Sequence, residues 1–250
     1  MIIILGALPI LKGAVPVLAR GLEHTAPTYA VGSRIDKTRT ACAARHLKHP
    51  IAMSCLADQK SQLRKAALIR RDGLDEVSRI EKSLAAGDHA LSMDLFDEDH
   101  FIPGTVVSGF LPIRSEIDPR PLMFALAKRG ARLCVPVVKS KTIIEFRELV
   151  RDAPLVESGF GTLGPDDSAC VLDPHIMIVP LSVYDENGGR IGYGGGYYDR
   201  AIDRLVELGI TPYLLGMGFS IQKVGHVPME THDRYLNSIA TETGHHTVKN

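Results

Sequence analysis

The chain has 250 residues, of which 45% are hydrophobic and 23% charged, and its 29 Lys and Arg balance 29 Asp and Glu. This allows one large domain or two small ones and excludes wholesale disorder. Zero net charge also excludes a long-range pull on nucleic acid or an acidic membrane surface, unless basic groups cluster locally.

The opening stretch, MIIILGALPILKGAVPVLAR, is apolar but broken by Pro9, Lys12 and Pro16. Its longest uncharged run, Met1 to Leu11, is shorter than the roughly 20 residues of a membrane span. No basic segment precedes that run, as a secretion signal would require. Residues 21–52 show neither helical nor strand periodicity. Residues 1–52 therefore read as an N-terminal extension of uncertain order, or as sequence upstream of the true start at Met53. Residues 53–250 read as one domain. The cysteines, Cys42, Cys55, Cys134 and Cys170, form no closely spaced pair. A zinc site and a disulfide framework are not expected, which suits a reducing cytoplasm.

From Asp58 onwards the chain becomes regular. QKSQLRKAALIRRDG carries Leu63, Ala66, Ala67 and Ile69 at helical spacing, ends on Gly73 and is rich in basic residues. Residues 75–96 predict a second helix, with Val77, Ile80, Leu84 and Ala85 as its apolar stripe and Gly87 weakening it. Thr105–Phe110 is short and β-branched, like a buried strand. Pro121–Arg129 predicts a helix with proline near its start and Gly130 past its end. RLCVPVV, TIIEFREL and the IMIV of LDPHIMIVPL read as strands, Tyr198–Leu208 as a helix, and TPYLLGMGF as a further strand. Short apolar strands alternating with helices predict a single α/β domain: a mainly parallel, Rossmann-like sheet sandwiched by helices.

The segment with the most chemical content is GRIGYGGGYYDR, residues 189–200. Gly192, Gly194, Gly195 and Gly196 lie between Arg190 and the pair Asp199-Arg200, after a strand and at the start of a helix. Glycines there let backbone N–H groups approach an oxyanion, and the helix N-terminus adds a positive dipole end. Arg190 offers a planar fork of donors to a phosphate, and Asp199 a hard oxygen for Mg²⁺. No GK[ST] follows, so this is not a Walker A loop, and Tyr197 stands where a dinucleotide fingerprint wants its last glycine. From the pattern alone the segment is either an anion-binding loop or a tight turn serving only the fold.

The string IVPLSVYDENGGRIGYGGGYYDR resembles the signature of the 5-formyltetrahydrofolate cyclo-ligase family. Further segments agree in the same order: Lys60-x-x-Leu63-Arg64, then FLPIRSE at 110–116, then Gly218-Phe219, Gln222, Pro228 and His232-Asp233. The resemblance covers about 57–244. It implies ATP- and Mg²⁺-dependent conversion of 5-formyltetrahydrofolate to 5,10-methenyltetrahydrofolate, with release of ADP and phosphate. A monomer acting on small molecules, reduced folate and ATP, is expected, with no nucleic acid and no membrane as partner.

By the same resemblance Lys60 and Arg64 hold ATP phosphates, and Arg190, Ile191, Gly192, Tyr193, Gly194, Gly195, Gly196, Tyr197 and Tyr198 wrap the nucleotide. Arg190, Tyr198 and Asp199 are the implied catalytic groups, and Asp199 and Asp233 the implied metal ligands. Glu116 would accept the pterin N–H donors, with Phe110, Leu111, Phe160 and Tyr197 against the folate. His232 reads as structural. Three features depart from the family. Gly164 stands where many members carry Glu before the proline, Tyr193 and Gly195 replace basic residues some members have, and residues 1–52 have no counterpart. The missing carboxylate motivates an alternative, a folate- or nucleotide-binding protein without turnover. A third reading uses the glycine loop on a sugar phosphate or CoA ester.

Overall fold

IMIV, apolar at every position, forms a strand covered on both faces, and the molecule is built around several such strands. The computed structural model describes residues 55–249 apart from His100 and Phe160. The extension 1–52 and the folate-facing expectation for Phe160 therefore lie outside the described residues.

In chain order the elements begin α1 (Leu56–Asp72), α2 (Glu76–Leu91), β1 (Val106–Ser108), α3 (Arg120–Lys128), β2 (Arg132–Val138) and β3 (Ile144–Glu148). They continue with β4 (Leu155–Glu157), β5 (Leu163–Pro165), β6 (Ile176–Pro180), β7 (Val183–Tyr184) and β8 (Arg190–Ile191). The last are α4 (Tyr197–Glu207), β9 (Tyr213–Met217), β10 (Ser238–Thr241) and β11 (Gly244–Thr247). Seven strands form one sheet in the order β11-β10-β9-β6-β1-β2-β3. Its five central strands are parallel, and only the outer pairs β2–β3 and β10–β11 are antiparallel. The α/β architecture and the mainly parallel sheet are those the sequence predicts.

Side chains alternate across the sheet, as a pleated strand requires. Val107, Leu133, Val135, Ile176, Ile178, Leu215 and Met217 point to the face covered by α2 and α3. Val106, Cys134, Met177, Val179, Leu214 and Ile239 point to the face covered by α4, which contributes Ala201, Ile202 and Leu205. Each large side chain so buried is worth about 1.5–3 kcal/mol, so the two layers carry the stability of the domain. Two small hairpins, β4–β5 and β7–β8, lie outside the main sheet.

The predicted stripe of α2 is corrected by the structure. Val77, Ile80 and Leu84 are exposed, while Ser83, Ala86, Gly87 and Ala90 are the buried positions. The helix lies close against α3 and β10, and only small residues fit between the backbones. Ile69 of α1 is likewise exposed, and Ala67 and Arg71 are buried instead. Among the described residues no helix is long and apolar enough to cross a membrane.

Candidate active site

The strand order reverses between β1 and β6: the chain adds β2 and β3 on one side of β1, then returns to build β6, β9 and β10 on the other. In open parallel sheets, ligands bind beyond the carboxyl ends of the strands at such a reversal. Many of the residues singled out in the sequence gather there. FLPIRSE leaves the end of β1, and the glycine loop follows β6 after the β7–β8 hairpin.

Backbone hydrogen bonds explain the shape of that loop. Asp185, 1% exposed, turns the hairpin by accepting from the amides of Asn187 and Gly189, each at 2.9 Å, and of Val227 at 2.7 Å. Gly194 at φ +96° and Gly196 at φ +63° then lead into α4, with Gly196 as its N-cap. Both angles lie where a side chain is strained, so glycine is required. Gln222 fixes the neighbouring strand ends: it bonds the Phe219 amide and the carbonyls of Leu181 and Ser182.

Helix α1 crosses this end of the sheet and brings a row of cations. Residues 60, 64 and 71 fall within about 40° of one another around a helix, spread along about 16 Å of it. Arg64 Nε donates to the Gly192 carbonyl at 2.7 Å, and burial lowers the pKa of its guanidinium. Arg71 donates through Nη2 to the Tyr193 hydroxyl at 2.8 Å and through Nε to Ser115 Oγ at 3.0 Å. Lys60 Nζ lies 2.7 Å from Glu230 and 2.6 Å from Asp233. Burial alone would lower the Lys60 pKa, but its bonds to the two carboxylates outweigh this and raise it. For Asp233, burial is outweighed by Lys60 and the Glu230 amide, and its carboxyl pKa is lowered.

Arg190, 8% exposed, pairs with Asp199 at 2.6 Å, and the amide of Arg234 also donates to Asp199 at 3.2 Å. Burial pushes the Tyr198 phenol far above its ordinary pKa, and its hydroxyl is buried with no hydrogen-bond partner among the described residues. Its O–H stays protonated and can offer a hydrogen bond. Burial also raises the Glu116 carboxyl, opposed by the Ile113 amide at 2.9 Å and by Arg71, Tyr193 and Arg114.

Not every predicted residue joins this cluster. The Phe110 side chain is 3% exposed and belongs to the core under α2 and α3, with Leu111 only partly buried beside it. Ile191 packs with Ala67, Val183 and Val227 between α1 and the β7–β8 hairpin. Tyr197 lies under Arg200, 5.4 Å from its ring, and its hydroxyl bonds the Ser140 carbonyl at 3.3 Å. A cavity of about 500 Å³ sits further out, between the end of β2 and the β4–β5 hairpin, lined by Lys139, Glu157, Asp166 and Asp167 among others.

Sequence reasoning missed Arg71 and Glu230. Arg71 was detectable as the third cation in helical register with Lys60 and Arg64. For Glu230 the signal was its spacing from His232 and Asp233: ligand atoms of the three lie within 4.8 Å of one another. Asp199 stands apart from that trio, held by Arg190.

A mainly parallel sheet with a glycine loop, a helix-borne row of cations and a half-buried carboxylate at its reversal point defines an α/β protein with a polar cluster where such sheets bind ligands. Comparison with known proteins narrows this class. The sequence profile of the 5-formyltetrahydrofolate cyclo-ligase family matches residues 57–242. The 5-formyltetrahydrofolate cyclo-ligase of Mycolicibacterium smegmatis is 25% identical over 191 residues, covering 73% of this chain and 93% of that protein. The Escherichia coli K12 protein of the same name is 29% identical over 141 residues, 54% of this chain and 76% of that one. The structure of Aquifex aeolicus 5,10-methenyltetrahydrofolate synthetase superposes with a TM-score of 0.63 at 26% identity, covering 76% of this chain and 93% of that chain. That of the Mycoplasma pneumoniae synthetase, at 20% identity and a TM-score of 0.58 over 73% and 98%, shares the fold. The chain belongs to the 5-formyltetrahydrofolate cyclo-ligase family.

Proposed function

We propose that this protein cyclises 5-formyltetrahydrofolate to 5,10-methenyltetrahydrofolate at the expense of ATP, releasing ADP and phosphate. The observation that carries this reading is the meeting of Arg64 and Arg190 with the glycine loop, with Lys60 on the same helix as Arg64 and the half-buried Glu116 close by, at one end of the sheet. The cations and loop amides suit a triphosphate, and Glu116 suits the N–H donors of a pterin.

A formamide oxygen is a poor leaving group. Transfer of the ATP γ-phosphoryl group to it makes an iminium phosphate. N10 of the folate then attacks the carbon and loses its proton, and phosphate departs. The protein contributes position and charge rather than a nucleophile. Arg190, oriented by Asp199, faces the transferring phosphoryl group. Tyr198, held protonated by burial, donates a hydrogen bond to an oxygen gathering charge.

Mg²⁺ fits the hard oxygens of Glu230 and Asp233 better than the His232 nitrogen. Bound there beside ATP, it would neutralise phosphate charge. Lys60 now bonds both carboxylates, so lysine and metal compete for one pair of acceptors. Asp199, committed to Arg190, is the weaker of the two metal ligands implied by the resemblance. We read the setting as cytoplasmic and the protein as a monomer.

Incubation with Mg-ATP and 5-formyltetrahydrofolate is expected to produce the near-ultraviolet absorbance of the methenyl product. Folded protein that yields none, beside a working control, rejects the reading. Tight folate binding without ATP consumption would instead favour sequestration. The feature that motivates sequestration has a packing explanation. A Cβ at Gly164 would stand 2.7 Å from Val137 Cγ2, so this hairpin has no room for the carboxylate many members carry.

A further inference from the structure

Arg71 is the most deeply buried of the five basic residues on α1, at 1% exposure. Its guanidinium joins two loops far apart in the chain: Nε bonds Ser115 on the loop after β1, and Nη2 bonds Tyr193 on the glycine loop. Its remaining nitrogen, Nη1, is buried without a hydrogen-bond partner among the described residues. Burying a guanidinium with an unused donor is costly, and packing alone does not call for it. Ser115 also donates to Asp72, next to Arg71 on the helix, so the contact is made twice.

We propose that Arg71 is a positioning residue for the reaction: it aligns Glu116 through Ser115 and, through Tyr193, holds the Glu116 loop and the glycine loop in one register. The proposal rests on the reading of Glu116 as the carboxylate that binds the pterin. Four groups face Glu116: Arg71 from α1, Arg114 from its own loop, Tyr193 from the glycine loop and Tyr198 from α4. Arg71 and Arg114 are the cations among them, and they oppose the burial that disfavours the ionised carboxylate. A lysine at 71 would keep charge but lose the planar fork that spans Ser115 and Tyr193.

Steady-state kinetics of R71K, Y193F, the double variant and E116Q test this. R71K is expected to raise KM for both folate and ATP by about tenfold, the scale of one lost charge-assisted hydrogen bond. Y193F should move both constants the same way, and the double variant should be little worse than R71K, because both changes break one link. R71A, which removes the charge, should also move the acid limb of the folate kcat/KM profile to higher pH, a shift R71K should not show. If R71A does not fold, R71K and Y193F decide the matter. Unchanged KM values in R71K, even with a lowered Tm, would make Arg71 merely structural and overturn the proposal, as would fully additive effects in the double variant. Full turnover in E116Q would reject the reading of Glu116 itself. An inactive E116Q beside a normal R71K would reject only the role of Arg71.

Discussion

Glu116 shows how a single side chain sets function against stability. Burial raises its carboxyl pKa in the folded chain above the unfolded value of about 4.3. The folded state therefore holds the proton more tightly, and stability falls as pH rises from the unfolded pKa through the folded one. E116Q, which cannot ionise, is expected to melt a few degrees higher than wild type at pH 8 and to match it near pH 4, while losing folate turnover. Thermal melts across that range check the sign; a variant less stable at pH 8 would mean the ionised carboxylate is held by more than it costs. At this scale the sequence singled out Lys60, Arg64, Glu116 and Arg190 through motifs that fix a type and a spacing, and the fold gathers them at one end of the sheet. It was not readable for pairings. Nothing in residues 60 and 233 announces that they meet across 173 positions, because only the fold makes them neighbours.

Helices and strands were legible to different degrees. β2 has its expected extent and the IMIV strand gains only Pro180, because short runs rich in Val and Ile suit a pleated, buried surface. The hairpins β4–β5, β7–β8 and β10–β11 were unread: their strands are two to four residues long, too short for a period to register. The misassigned face of α2 has a different cause. Hydrophobicity marks what gains by leaving water, but at a close helix contact size decides, so Ala86, Gly87 and Ala90 outcompete Val77 and Ile80. Two glycines separate these effects. A Cβ at Gly87 would meet Leu122 at an ordinary 3.7 Å, so G87A should gain helix propensity and stabilise by about 0.5–1 kcal/mol. A Cβ at Gly164 would clash with Val137, so G164A should cost about 1–3 kcal/mol. Chemical denaturation of the two variants gives the comparison, and a destabilised G87A would show that the contact with α3 has no slack.

Over the whole molecule, zero net charge hides a separation of labour between an apolar, layered sheet and a polar rim. The sheet is gripped from both faces by large side chains. Helix α1 is held differently, by a small apolar cluster around Ala67 and Ile191 and by the polar bonds of Lys60, Arg64, Arg70 and Arg71. Local opening free energies follow buried apolar contact, so α1 should detach at lower cost than β6 or β9. Its amides are then expected to exchange with deuterium well before those of the central strands, and nucleotide should slow α1 selectively, because a ligand stabilises only the states that bind it. Equal protection of α1 and β6 without nucleotide would contradict this. Since Lys60, Arg64 and Arg71 ride on one helix, such an opening would withdraw them together. Much of the site's positive charge is then a detachable part, and under the proposed function ATP would be one of the fasteners that keep it in place.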